Sequence, residues 1–344
     1  MKNLNNRSLM QSSLLLLASV FLWVSSAQAH EFTAHKNIVW ASPKNVSLTA
    51  DIYVPKTGKA KYPVLVIYHG GGWLINNNSI MNSMSEYIAS HGEFIVANMN
   101  YRLLPENKNT TNMNEIVEDA LGGVLWVKDN IATYGGDPKR VAVTGDSAGG
   151  HLASMVLLSG QKLESDGFAG NTLGFNPSYL PKGKTAEQVA KADGLKVQAA
   201  IISYGAFDLY GAAQNNFEKP SNMFWAFAKA DARGIFGSSI NVTDNANYYK
   251  AVSPIYNIPL ASTYKLPPQF VHVGSKDNTT PPAAVKAYVE QLEKAGQPVE
   301  FKLYEGKNHA FLDTGCNEFL KMCFDKDAPD ALNDILHFLE KTLK

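Results

Sequence analysis

Short apolar, β-branched runs alternate with helical stretches along most of this chain. Runs near 63–69, 94–101, 140–146, 198–204, 269–274 and 299–304 read as buried strands. Between and after them, stretches near 80–90, 113–132, 147–159, 282–295 and 328–342 read as helices. This alternation predicts an α/β class: a mostly parallel twisted sheet covered by helices on both faces. The run near 46–54 differs, because Leu48, Ala50, Ile52 and Val54 alternate against polar neighbours. That is the pattern expected of an antiparallel strand at the sheet edge. Two stretches interrupt the rhythm. Residues 160–196, rich in glycine, lysine and polar side chains, read as an excursion from the fold. Residues 206–262 carry Phe207, Tyr210, Phe217, Phe224, Trp225 and further aromatics. So much aromatic surface outside the sheet suggests a small cap able to hold an acyl or aromatic group.

Two junctions in this pattern carry chemistry. The strand Arg140-Val141-Ala142-Val143-Thr144 runs through Gly145-Asp146-Ser147-Ala148-Gly149-Gly150 straight into the helix from His151. A turn that sharp strains the serine, and side chains at 145 or 149 would collide with neighbouring elements. The strain holds the Ser147 hydroxyl clear of the backbone, facing the positive end of the helix dipole. The strand Pro63-Val64-Leu65-Val66-Ile67-Tyr68 runs into His69-Gly70-Gly71-Gly72-Trp73. Three consecutive glycines let backbone N–H groups converge on one spot.

With both junctions in place, the chain resembles the hormone-sensitive-lipase-like branch of the α/β-hydrolases, a family of carboxylesterases. Asn100-Tyr101-Arg102-Leu103-Leu104-Pro105-Glu106 is similar to the family segment after the fourth strand. Tyr134-Gly135-Gly136-Asp137-Pro138 is similar to its lead-in to the nucleophile strand. The resemblance covers roughly residues 45–160 and 197–343. It implies an α/β-hydrolase fold in a single domain, 30–344, with insertions near 160–196 and 206–262. It also implies Ser147 as nucleophile, with an oxyanion hole from the N–H groups of Gly71, Gly72 and Ala148. His151 stands where the family usually has Asn, a feature of acetyl and feruloyl esterase-like relatives. The family's long N-terminal cap segment has no room here.

Chain order in such folds is serine, acid, histidine. Asp277 follows the strand Gln269–Gly274 and His309 follows Val299–Tyr304, both on loops at the carboxyl ends of parallel strands. His309 would take the serine proton and Asp277 would fix its tautomer. Asp208, after the preceding strand, is the rival acid, and Asp277 has an alternative reading as a helix N-cap. His69 is expected to shape the glycine loop, His272 to sit satisfied in the core and His151 to pack. Asp146 is expected to hold neighbouring loops as a hydrogen-bond acceptor. No histidine, cysteine and carboxylate set has metal-ligand spacing, so neither a metal nor another cofactor is expected.

Residues 1–29 begin with Lys2 and Arg7, continue through an apolar run and end in Ala27-Gln28-Ala29. This reads as a cleaved signal peptide, too short for an ordinary membrane span. A periplasmic or secreted protein with no stable membrane insertion follows. Thirty-one Lys plus Arg balance 31 Asp plus Glu, which leaves no footprint for nucleic acid. Cys316 and Cys323 are expected to pair in an oxidising compartment. Seven residues of continuous helix span about 10.5 Å, too far for a bridge, so the segment must loop back. The leading expectation is a serine carboxylesterase acting on small to medium acyl esters. The alternatives are an exported acetyl or feruloyl esterase deacylating polysaccharide and a non-catalytic hydrolase-fold binding protein. The oligomeric state is not legible.

Overall fold

The computed structural model describes residues 29–169 and 172–343. Eight strands form one sheet: β1 (Phe32–Ala41), β2 (Leu48–Pro55), β3 (Tyr62–Tyr68), β4 (Ile95–Met99), β5 (Gly136–Asp146), β6 (Ala199–Ser203), β7 (Gln269–Gly274) and β8 (Val299–Tyr304). Their order is β1-β2-β4-β3-β5-β6-β7-β8. β2 is antiparallel to both neighbours, and every pairing from β4 across to β8 is parallel.

One expectation is corrected. β2 is antiparallel but not the edge, because β1 lies outside it. His35, Lys36 and Asn37 interrupt the apolar alternation of β1, and the ladder shifts register between His35 and Ile38. Asn37 there adopts φ 57°, the left-handed conformation of a bulge. A mostly exposed strand broken by a bulge gives little periodic signal.

Five long helices cover the sheet: α1 (Asn82–His91), α2 (Met113–Asn130), α3 (Ala148–Ser159), α4 (Pro282–Lys294) and α5 (Pro329–Leu343). α1 packs on α5 over one face, while α2 packs on α3 over the other. α2 starts where Glu115 Oε2 accepts from the Asn112 amide at 2.8 Å, one arm of a capping box. The strands between β2 and β7 are almost wholly buried, which explains their unbroken apolar runs.

The excursion after α3 returns across α2, where the Ser178 amide donates to the Glu118 carbonyl at 3.1 Å. Gly122 of α2 permits that approach, since a Cβ there would lie 2.6 Å from the Tyr179 nitrogen. Between β6 and β7 the chain forms the short helices Leu209–Gln214, Met223–Phe227 and Ala246–Ala251. Its aromatics divide between two roles. Trp225, Phe236 and Tyr249 are buried within the insertion, and Phe207 stacks on Tyr288 of α4 at 3.9 Å. Phe217 and Phe224 face the cleft beside Ser147.

The expected signal peptide lies outside the described residues, apart from Ala29. Among the described residues, no helix is long and apolar enough to cross a membrane.

Candidate active site

Ser147 occupies the turn from β5 into α3 with φ 52° and ψ −115°, a backbone region that L-residues avoid. Packing enforces it. The Ser147 amide donates to the Ser203 carbonyl of β6 at 3.0 Å. A Cβ on Gly149 would run into the Tyr68 carbonyl, and one on Gly145 into the Gly149 carbonyl. Both flanking glycines are therefore steric necessities.

The loops after β7 and β8 bring Asp277 and His309 to this serine. His309 Nε2 lies 3.0 Å from Ser147 Oγ, and Nδ1 lies 2.7 Å from Asp277 Oδ2. The amides of Thr279 and Thr280 each donate to Asp277 Oδ1 at 2.9 Å, and the Thr280 hydroxyl donates to Oδ2 at 3.1 Å. A carboxylate so placed only accepts, so the His309 Nδ1 carries a hydrogen and Nε2 presents its lone pair to the serine hydroxyl. Tyr204 meets the imidazole edge-on at 5.0 Å and limits its rotation. Asp277 is not a helix cap, because α4 begins five residues later. Asp208 is one: its Oδ1 accepts from the Gly211 amide at 2.8 Å at the start of Leu209–Gln214.

The glycine loop after β3 is pinned at both ends by the segment after β4. Tyr101 donates its hydroxyl to the His69 carbonyl at 2.6 Å and stacks on the His69 ring at 4.3 Å. The Leu104 amide donates to the Trp73 carbonyl at 2.9 Å. Arg102 anchors that segment in turn, with Nε and Nη2 forked on the Asp119 carboxylate at 2.8 and 2.7 Å. Gly71 at φ 117° and Gly72 at φ 60° turn the loop. Among the described residues, no group accepts from the amides of Gly71, Gly72 or Ala148. They remain available to an oxygen at Ser147.

Trp73 Nε1 donates to His151 Nδ1 at 3.2 Å, and His151 Nε2 donates to the Val252 carbonyl at 2.7 Å. His151 thus ties the glycine loop to α3 and the insertion. Burial pushes its pKa down to about 4, as it does for His69, and that of His272 to about 3. These three stay neutral near pH 7. His272 sits on β7 against Ser203 Oγ at 2.9 Å.

Two cavities meet at Ser147. One of about 540 Å³ runs past Gly72, Ala148, Asp208, Asn215 and Asn222. Another of about 190 Å³ runs past Gly71, His309, Phe227, Phe319 and Leu320. Phe224 and Thr279 line both. A larger cavity of about 770 Å³, bordered by Leu195, Gln198, Pro268 and Pro298, lies at the amino ends of β6–β8, away from Ser147.

Phe319 and Leu320 belong to a hairpin whose strands, Cys316–Asn317 and Met322–Cys323, pair antiparallel with Cys316 opposite Cys323. A disulfide joins the two cysteines. The chain loops back between them, as the helical distance argument requires. The roles of Tyr101 and of the Trp73–His151 contact were not drawn from the sequence. The segment around Tyr101 carried a signal there as a matching motif without an assigned task, and His151 as a departure from the family Asn.

The BD-FAE family model matches residues 50–292. A probable isoprenylcysteine alpha-carbonyl methylesterase of Arabidopsis thaliana is 26% identical over 87% of this chain and 62% of its own length. Esterase LipQ of Mycobacterium tuberculosis is 31% identical over 72% of this chain and 50% of its own. The chain therefore covers less than two thirds of either relative. The apo form of Thermogutta terrifontis esterase 2 superposes with a TM-score of 0.62 at 21% identity, over 93% of this chain and 97% of that one. The same esterase phosphorylated by paraoxon also scores 0.62, at 22% identity. The fold is the α/β-hydrolase fold.

Proposed function

This chain belongs to the BD-FAE family, and from that premise we propose that it is a serine-dependent carboxylic ester hydrolase acting on small to medium acyl esters. The observation that carries the reading is the aligned relay from Asp277 Oδ2 through His309 to Ser147 Oγ, beside three backbone amides that have no acceptor among the described residues.

In this reading the Ser147 hydroxyl, barely ionised by itself, attacks the ester carbonyl as His309 Nε2 takes its proton. Asp277 stabilises the imidazolium that forms. The negative oxygen of the tetrahedral intermediate settles among the N–H groups of Gly71, Gly72 and Ala148. His309 then returns the proton to the departing alcohol, leaving an acyl group on Ser147. Water deprotonated by His309 hydrolyses that acyl-enzyme by the same steps, with no metal or cofactor required. A non-catalytic binding role would give the strained serine and its ordered histidine no task. The esterase names of the relatives favour catalysis too.

Export is part of the proposal. The leader-like residues 1–29 and the Cys316–Cys323 pair support a periplasmic or secreted enzyme.

A second reading, deacylation of a polysaccharide, draws on the polar wall of the larger cleft. Asp208, Asn215, Asn216, Ser221 and Asn222 offer hydrogen bonds to a hydroxyl-rich alcohol. Turnover of p-nitrophenyl esters of increasing acyl length, set beside release of acetate from acetylated xylan, separates the two. A preference in kcat/KM for the polysaccharide supports the second reading. Turnover of simple esters alone supports the first, and turnover of neither ester class overturns both.

A further inference from the structure

We propose that Asp146 and Asp313 hold a single proton between their carboxyl groups, and that this shared proton positions the His309 loop against the nucleophile turn. The proposal rests on the serine esterase reading and assigns two positioning residues within it.

Asp146 immediately precedes Ser147, and Asp313 lies four residues beyond His309. Both line the cavity that runs past Ser147 and His309, where the two carboxyl groups face one another. Both Oδ1 atoms are buried, and among the described residues neither receives a hydrogen from any other group. Two ionised carboxylates cannot share such a place, since each would be a buried acceptor facing a like charge. One proton on the pair resolves both problems, because the protonated carboxyl donates to the ionised one. Burial and the neighbouring carboxylate accordingly hold the Asp313 pKa well above the ordinary carboxylate range. That of Asp146 rises to about 6 through burial, opposed by His309 and by the Gly70 amide.

The contact joins three parts of the site. Gly70 of the glycine loop lies against Asp146 Oδ2, so closely that a Cβ at 70 would strike it. Asp313 is held within its own loop by donating its amide to the Ala310 carbonyl at 2.9 Å. Its neighbour Leu312 donates an amide to Tyr204 Oη at 3.2 Å. The titratable groups facing the pair are His309, Tyr101 and Tyr204, and Tyr204 also faces Asp277. Burial keeps both tyrosines neutral, since each pKa is pushed well above its ordinary value. His309, the remaining group that faces the pair, is hydrogen-bonded to Ser147. When hydroxide removes the shared proton, forming water and a second carboxylate, like charges push the two loops apart and His309 drifts from Ser147.

The test compares parent, Asp313→Asn and Asp313→Ala by the pH dependence of kcat and KM for p-nitrophenyl butyrate. Circular dichroism at each pH checks the fold. The parent should lose kcat on the alkaline side with little change in KM. Asp313→Asn keeps a donor that cannot ionise, so its alkaline limb should vanish. Asp313→Ala removes the link and should lower kcat about tenfold to a hundredfold at every pH, as a displacement approaching 1 Å would. A parental alkaline limb in folded Asp313→Asn overturns the shared proton. Infrared spectroscopy gives a readout independent of turnover. The parent-minus-Asp313→Asn difference at neutral pH should contain the carbonyl band of a protonated carboxylic acid, and its absence also overturns the proposal. Stoichiometric labelling of Ser147 by paraoxon, measured on the same samples, shows whether the esterase reading itself holds.

Discussion

Asn308, the residue before His309, donates its side-chain amide to the Lys321 carbonyl at 3.0 Å, inside the hairpin closed by Cys316 and Cys323. Lys307, one residue earlier, pairs with Asp327 at 3.1 Å, and Asp327 accepts from the Cys323 amide at 2.8 Å. The histidine loop is therefore fastened to the second strand of the hairpin, at Lys321 beside it and, through Asp327, at Cys323.

Closing so short a loop stabilises the whole fold by only about 2–3 kcal/mol in the chain-entropy model. The larger consequence is local, because His309 must stay within hydrogen-bonding distance of Ser147. Cys316→Ser with Cys323→Ser should lower the temperature at which ester turnover fails, while circular dichroism reports intact secondary structure there. An unchanged thermal-activity profile would remove the hairpin from the account.

Tyr101 tests the glycine loop. Tyr101→Phe keeps the ring stacked on His69 but deletes the hydrogen bond to the His69 carbonyl. One neutral hydrogen bond contributes about 1 kcal/mol to stability, so the melting temperature should move little. A glycine loop free to shift should misplace its amides and reduce kcat about tenfold, with KM nearly constant. Equal losses in stability and no loss in kcat would make Tyr101 a packing residue only.

The acid assignment separates cleanly. Asp277→Asn should cut kcat by about 10⁴-fold, because an amide can set the wrong histidine tautomer. Asp208→Asn should retain most activity, since Asn caps a helix about as well as Asp. The reverse ranking in folded proteins would move the acid to Asp208.

Glu118 of α2 predicts a pH dependence of stability. Burial raises its pKa to about 7, with the Asn176 amide and Asn114 partly opposing. A folded pKa above the unfolded one means that the folded state binds the proton more tightly. Stability is then fully present below the unfolded value near 4.5 and falls as pH rises through 7. The loss is roughly 3 kcal/mol above pH 8. Glu118→Gln keeps an acceptor for the Asn176 amide and cannot ionise. Its advantage over the parent in denaturant midpoint should therefore grow from pH 5 to pH 8, and a constant difference would contradict this.

The sheet and the residues around Ser147 were legible because each obeys a local rule. Buried parallel strands are unbroken apolar runs, and the turn at Ser147 admits only glycine at 145 and 149. Asp277 and His309 could be placed because they end strands of that sheet. β1 escaped because it is exposed and bulged at Asn37, and so carries no period. The aromatic insertion suggested a cap, yet composition could not separate Phe217 and Phe224, at the cleft, from Trp225 and Tyr249, inside. The Asp146–Asp313 contact depends on a loop returning from the far end of β8, and no spacing encodes it.

The central claim is that Ser147 is the nucleophile of an ester hydrolase. Its most direct test is peptide mapping by mass spectrometry after reaction with paraoxon, in parallel with p-nitrophenyl acetate turnover. One phosphoryl adduct per chain should map to Ser147 as turnover disappears. Ser147→Ala should take up no label and lose about 10⁴-fold or more in kcat with its fold intact. An adduct on another serine, or near-parental turnover by folded Ser147→Ala, would contradict the account.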